Sequence, residues 1–239
     1  MFVALSGCTH LGRSMDRFIT LDVPKNGFSI AHHERRKELR AKNTLYLPAR
    51  KIDNAEFNTD ELTMLAKEMR AFMNQKKGIG LAANQVGKRI QIFIVEAKND
   101  NPRYKILGAV PYQIFINPKI TGTSVERKNF WHGCLSAMEE KRGNVATYEW
   151  IEYEARNVEG KIQKGRLTGL SSVIFQHEFR HLLGGTYLDK ASQFMDQAEL
   201  SQKIEHNEVP FFETTDKKLP LLISDYQIGE SLEDFYSRQ

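Results

Sequence analysis

His177-Glu178-Phe179-Arg180-His181 puts two imidazoles and a carboxylate within five consecutive residues. On a helix, residues four apart share a face, so His177 and His181 can reach one divalent ion together. Glu178 follows the first of them and can lean over the ion's open side. A divalent ion brings the pKa of water toward neutrality, and a neighbouring carboxylate can then take the proton. Val173, Ile174 and Phe175 make the preceding stretch apolar, which favours a buried helix over a solvated one with two idle histidines. Two histidines leave a zinc-type catalytic set one ligand short. The best third ligand is Cys134, in Phe130-Trp131-His132-Gly133-Cys134-Leu135-Ser136, because a thiolate binds transition metals strongly. The other cysteine, Cys8, lies in an unpatterned segment.

The elements that must position these groups are partly readable. Asn58 with Glu61 forms a capping pair, and Leu62, Leu65, Met69, Phe72 and Met73 then recur at helical spacing. Lys76-Lys77-Gly78 supplies a basic last turn and a glycine stop. A glycine-rich stretch, residues 78–87, leads into a strand over Ile90 to Val95. A second strand covers Gln113 to Asn117 and is ended by Pro118. Alternation from Val145 to Ala155 predicts a third, with a turn at Glu159-Gly160. The histidine-bearing helix runs from about Ser171 to Leu183 and stops at Gly184-Gly185. Strands preceding one central helix indicate an α+β fold, mostly antiparallel strands around the helix that carries the HExxH motif. We divide the chain into an N-terminal extension, 1–44, a metallohydrolase domain, 45–190, and a C-terminal extension, 191–239. The charged run from His32 to Lys42 reads as a solvated helix, and the tail from Ala191 as one modest helix that is either loose or packed back on the core.

Composition narrows the function classes. A charge balance of 34 basic against 30 acidic residues in 239 is too mild to argue for nucleic acid, and no Lys/Arg run forms a clear patch. Two cysteines make no disulfide framework, which favours a reducing, cytoplasmic setting. No apolar run approaches a membrane span. Leu5-Ser6-Gly7-Cys8 looks like a lipoprotein cleavage box, but the four residues before it supply neither a charged start nor an apolar stretch, so it is read as incidental.

Three segments together resemble the peptide deformylases, whose boxes take the forms GxGLAAxQ, EGCLS and QHExDH. Here they read Gly78-Ile79-Gly80-Leu81-Ala82-Ala83-Asn84-Gln85, His132-Gly133-Cys134-Leu135-Ser136 and Gln176-His177-Glu178-Phe179-Arg180-His181, in that order. The resemblance covers about residues 45 to 190. It implies that Cys134, His177 and His181 hold the metal and that Glu178 acts as general base and then as general acid. It further implies that Gln85 and the backbone N–H of Leu135 donate to the formyl oxygen as it gains charge. The backbone around Gly80 and Ile79 would bind the peptide. Leu170, Val173 and Ile174 join Ile79 as candidates for an apolar methionine pocket, a role that competes with plain core packing. The implied reaction is removal of the formyl group from N-formylmethionyl peptides of nascent proteins, with the ribosome as an implied meeting place. Ferrous iron is the implied metal, with zinc, nickel or cobalt as substitutes.

The chain departs from the pattern where the boxes are supported. His132 stands where the family has Glu, Arg180 where it has Asp, and Val145-Ala146-Thr147 lacks the arginine of a V-x-R stretch. Arg180 is therefore expected to face outward or to find an acidic partner, and positions 147 and 180 are expected to be coupled. His132 is read as a supporting residue in preference to a ligand. These changes leave a competing reading, a degenerate relative that binds metal or formylated peptide ends without efficient turnover.

Overall fold

The computed structural model describes residues 20–99, 107–137, 141–210, 212 and 219–239. Cys8 and its neighbours lie outside the described residues.

Strand β2 (Ile92–Ala97) shows how the layers form. Successive side chains point to opposite faces, and here both faces are buried, so the strand reads as a continuous apolar run. Ile92 and Ile94 turn toward helix α1 (Asp60–Gln75), whose Leu62, Leu65, Met69 and Met73 share their core cluster. Phe93 and Val95 turn to the other cluster, with Phe175 and Phe179 of helix α2 (Gly169–Leu182). Phe93 and Phe115 each meet the Phe175 ring edge-on at 4.9 Å, a favoured aromatic geometry.

The sheet between the helices has five strands in the order β1-β2-β3-β6-β7, all antiparallel. Its other members are β1 (Gly80–Ala82), β3 (Val110–Thr123), β6 (Trp150–Arg156) and β7 (Ile162–Thr168). A second antiparallel sheet, β4-β5-β8, combines β4 (Arg127–His132), β5 (Lys141–Tyr148) and β8 (Gln193–Asp196). Helices α3 (Gln197–Glu205) and α4 (Leu232–Ser237) follow. The mixed helix and antiparallel-sheet architecture agrees with the expected α+β class.

Several boundaries differ from the sequence reading, each for a physical reason. The cap of α1 is Thr59, whose hydroxyl accepts from Leu62 N–H at 3.3 Å, while Asn58 takes a left-handed φ of 59° in the turn before it. At the other end Lys77, not Gly78, adopts the left-handed conformation (φ 55°), and Gly78 N–H bonds to the Met73 carbonyl. Pro118 does not end its strand. The pairing shifts register between Ile116 and Lys119, and a bulge is where proline, lacking an N–H, costs a sheet little. The alternation from Val145 to Ala155 proves to be two strands in different sheets, β5 and β6. The charged run forms a short 3₁₀ helix, Lys37–Lys42, with no buried residue. The C-terminal tail packs back: Leu222, Ile223, Leu232 and Phe235 are buried in the α2 core cluster, and residues 220–222 hydrogen-bond to Ala146 of β5.

Helix α2 is the element that positions the site. Every residue from Ser172 to Leu182 is buried. It ends as expected at the glycine pair: Gly184 is left-handed (φ 74°), and Gly185 N–H closes onto the Arg180 carbonyl. Gln176 pins the helix to β5, its Nε2 donating to the Tyr148 carbonyl and its Oε1 accepting from the Tyr148 N–H, both at 2.9 Å.

Candidate active site

One side-chain donor atom from each of Cys134, His177 and His181 lies within 4.8 Å of the other two. The Cys134 Sγ is 3.2 Å from His181 Nε2. The second nitrogen of each imidazole is engaged elsewhere, which leaves both Nε2 atoms for the cluster. His181 Nδ1 lies 2.9 Å from the Gly185 carbonyl, an acceptor that fixes its proton on Nδ1. His177 Nδ1 lies 3.1 Å from Nδ1 of His132. One of these two must donate and the other accept. If His177 is to keep Nε2 unprotonated, it donates and His132 accepts. The Nε2 of His132 is then a buried donor with no partner among the described residues. His132 thus supports His177 from outside the three-residue cluster, while lining the same cleft.

The electrostatics of the cluster fit a divalent cation. Burial, with the Glu178 charge adding to it, pushes the Cys134 thiol up to about 12. Burial and then the Arg142 guanidinium bring His177 down to about 4, and burial and the neighbouring His177 hold His181 well below the usual range. Burial also raises the Glu178 carboxyl well above its ordinary value, against the opposing backbone N–H of Ala82. Every shift favours an uncharged group. A dication bound by a thiolate and two neutral imidazoles would reverse the cost for the sulfur and the carboxylate while using the imidazoles as they stand. Glu178 Oε2 is buried without a partner among the described residues, an acceptor left over for a group from outside the chain.

Glu178 owes its place to Gly80. A Cβ at position 80 would overlap the Glu178 carboxylate, so only glycine lets this acid reach the cleft beside β1. The close approach expected at Gly80 is therefore made first by the chain's own carboxylate. Gln85 is set by three contacts. Its Oε1 accepts from Ala82 N–H at 2.8 Å, and its Nε2 faces Ser136 Oγ at 3.1 Å and Cys134 Sγ at 3.4 Å. A cleft of about 270 Å³ joins these groups. Ile79, Leu170, Val173 and Ile174 all line it, beside Gly80, Gln85, Leu135, His177 and Glu178.

Other residues that hold the site carried no recognisable signal in the sequence. Asn84 Nδ2 donates to the His181 carbonyl at 2.6 Å and to the Leu45 carbonyl at 3.2 Å, tying the glycine box to the end of α2. Ala31 N–H bonds to the Gln85 carbonyl at 2.7 Å and His33 N–H to the Ser136 carbonyl at 2.8 Å, so the N-terminal segment bridges two of the boxes through its backbone. Arg142 packs its guanidinium on Gly133 and donates to Gln197. Backbone contacts of this kind are independent of side-chain identity, so no motif announces them.

Arg180 finds its acid in Asp225, at 2.6 Å. Thr147 Oγ1 donates to the Lys128 carbonyl at 3.4 Å. The expected coupling of positions 147 and 180 is accordingly redirected, because the charge partner of Arg180 comes from the C-terminal segment.

A sequence model of the family described as polypeptide deformylase matches residues 39–197. The chain is 34% identical over 139 residues to a peptide deformylase of Leptospira biflexa, spanning 58% of this chain and 77% of that protein. It is 38% identical over 129 residues to peptide deformylase 2 of a Nostoc species, spanning 54% and 71%. Among solved structures, a class I type b peptide deformylase from Acinetobacter baumannii, crystallised with Met-Ala-Ser, superposes with a TM-score of 0.61 at 30% identity, covering 68% of this chain and 96% of that one. A probable peptide deformylase from Synechococcus phage S-SSM7 gives 0.56 at 29% identity, covering 68% and 99%. The mixed helix and antiparallel-sheet fold is shared with these structures, and it places the chain in a class of hydrolases. The chain belongs to the polypeptide deformylase family.

Proposed function

We propose that the protein removes the formyl group from N-formylmethionyl peptides, with Cys134, His177 and His181 as ligands of one divalent metal. The observation that carries this reading is the convergence of the Cys134 thiol and the His177 and His181 imidazoles within 4.8 Å of one another, beside a cleft to which Glu178 brings a buried carboxylate oxygen with no partner among the described residues. A divalent ion there supplies Lewis acidity, making water acidic enough to lose a proton near neutral pH.

The chain's own residues do the rest. Glu178 takes the proton from the attacking water and returns it to the leaving amine, so that formate and a free N-terminus result. Its buried Oε2, without a partner among the described residues, is the acceptor placed to hold that proton between the two steps. Gln85 Nε2 and the N–H of Leu135 donate to the formyl oxygen as charge develops, each such donor being worth about 3 kcal/mol in comparable sites. Gln85 enters this role already oriented, since Ala82 N–H holds its carbonyl end. Ile79, Leu170, Val173 and Ile174 offer the methionine side chain an apolar wall. Among the described residues strand β1 pairs only with β2 and stands at the sheet edge, where the backbone of Ile79 and Gly80 lies beside the cleft and can meet an extended peptide.

Ferrous iron is the expected native ion, with zinc, nickel or cobalt able to substitute, since the donor set alone does not select among them. The hydrolase domain spans 45–190, flanked by extensions 1–44 and 191–239. The protein acts in the cytoplasm on nascent chains; among the described residues no helix is long and apolar enough to cross a membrane. Formate release from formyl-Met-Ala-Ser by metal-loaded protein, with elemental analysis of the same sample, tests the reading. One equivalent of metal without formate release would instead identify a relative that binds without turnover.

A further inference from the structure

Arg180 sits one residue before His181 in α2 and is itself buried, so its charge must be met close by. Its Nη1 donates to Asp225 Oδ2 at 2.6 Å, the two side chains being 7% and 32% exposed. Lys190 Nζ approaches the same oxygen at 3.5 Å. The guanidinium lies flat against Gly185, where a Cβ would collide with Nη2, Cζ and Nε. Gly185 is the residue whose carbonyl faces Nδ1 of His181. A continuous line of contacts thus runs from Asp225 through Arg180 and Gly185 to His181.

The line depends on one contact. Arg180 Nε and Asp225 Oδ1 are both buried without a hydrogen-bond partner among the described residues. Among the described residues the Nη1–Oδ2 bond is therefore the one hydrogen bond that orients the guanidinium on Gly185. Asp225 is in turn fixed from its own side, its carbonyl accepting from Arg238 Nη2 at 2.6 Å. Asp225 and Arg238 both lie beyond residue 197, where the match to the family ends.

We propose that Asp225 is a positioning residue for His181, holding Arg180 against Gly185 and compensating its positive charge beside the metal site. The inference rests on the reading of Cys134, His177 and His181 as ligands. Two physical effects act together. The packed guanidinium keeps the Gly185 carbonyl where it fixes the imidazole tautomer, and the carboxylate cancels a cation that would otherwise repel a dication close by. In the family pattern an acid occupies position 180; in this chain the acid arrives from a distant segment and the helix carries the base.

The test uses the full-length protein loaded with Co2+, whose thiolate charge-transfer band reports ligation by Cys134, and chelator competition to measure affinity. Absence of that band in the wild type would refute the ligand reading itself, apart from any role of Asp225. With the band present, Asp225→Asn should lower Co2+ affinity by about 10–100-fold, the range for partners that orient ligands. Tyr236→Phe removes a hydrogen bond from the same segment to the Leu182 carbonyl and should leave affinity unchanged. Wild-type affinity in Asp225→Asn, or an equal loss in Tyr236→Phe, would overturn the proposal. If Asp225→Asn does not fold, Arg180→Lys carries the test, since it keeps the charge but loses the flat contact with Gly185. Unchanged Co2+ affinity in that variant would likewise overturn it.

Discussion

Cys134, Gln85, His177 and Glu178 form a front of chemically active groups along the cleft; His132, which shares the cleft wall, forms with Gly185, Arg180 and Asp225 a back that holds the imidazoles in place. The front agrees with the family boxes residue for residue, while the back departs from them at positions 132, 147 and 180. The two candidate ligand histidines sharpen the contrast. His181 is backed by a main-chain carbonyl, which any residue at position 185 would provide, although only glycine leaves room for Arg180 beneath it. His177 is backed by another side chain, and there the family's acid has become an imidazole that can still accept one hydrogen bond. Groups that touch reacting atoms are constrained by chemistry. Groups that only orient them need to supply an acceptor of the right geometry, and several residue types can.

That difference predicts two kinds of failure. Variants of the front that hold the ion should lose metal and activity together, and this is the largest effect expected. Cys134→Ala removes the sulfur of the three-residue cluster, so elemental analysis should find the metal gone and the peptide assay silent. Full metal occupancy in that variant would show that the thiolate is not a ligand. Glu178→Ala should behave differently, keeping its metal while kcat falls by about 10²–10⁴-fold, because the carboxylate moves protons and does not hold the ion. A kcat within a few-fold of wild type would assign the proton transfer to another group.

A variant of the back should fail in the opposite sense. His132→Ala leaves the Nδ1–H of His177 without its acceptor, and the imidazole loses both its orientation and part of its basicity. Metal affinity should fall by about 10–100-fold, with kcat at saturating metal much less affected. Chelator competition and steady-state assays at high metal would measure the two separately. If kcat falls while affinity holds, His132 belongs with the chemically active front groups and the division drawn above is wrong.

The same division explains what could be read from the chain before its structure. Helix α2, the cysteine box and the glycine box announce themselves because their chemistry requires particular residue types at short spacing. Strands β4 and β7 did not, since Arg127-Lys128-Asn129 and Gln163-Lys164-Gly165-Arg166 carry polar residues that mask any alternation. Strand β7 in addition forms an exposed sheet edge. Pro118 misled because a bulge accommodates a residue that regular pairing would exclude. Arg180 was expected on electrostatic grounds either to face outward or to find an acidic partner, and the identity of that partner was not accessible. Asp225 is 45 residues away, and only the packing of Leu222, Ile223 and Leu232 into the core brings it alongside.

The smallest effect should come from Ser136, and it tests whether the front is as tightly specified in its details as in its boxes. On the proposed reading, Gln85 points Nε2 at the formyl oxygen. Three contacts set it: Ala82 N–H on the carbonyl end, and Ser136 Oγ and Cys134 Sγ on the amide end. Ser136→Ala removes one of these and leaves the other two. A single buried hydrogen bond contributes about 1 kcal/mol, so kcat/KM should fall by about fivefold. Because Ser136 N–H, which approaches the Cys134 sulfur at 3.3 Å, belongs to the backbone and survives the substitution, metal affinity should stay at the wild-type level. This is the reverse of the His132→Ala signature, and the two variants measured side by side form one experiment. Loss of metal in Ser136→Ala would mean that the serine hydroxyl supports the ligand sulfur through Gln85. The cleft groups and their supports would then be one network, and the front-and-back division would not stand.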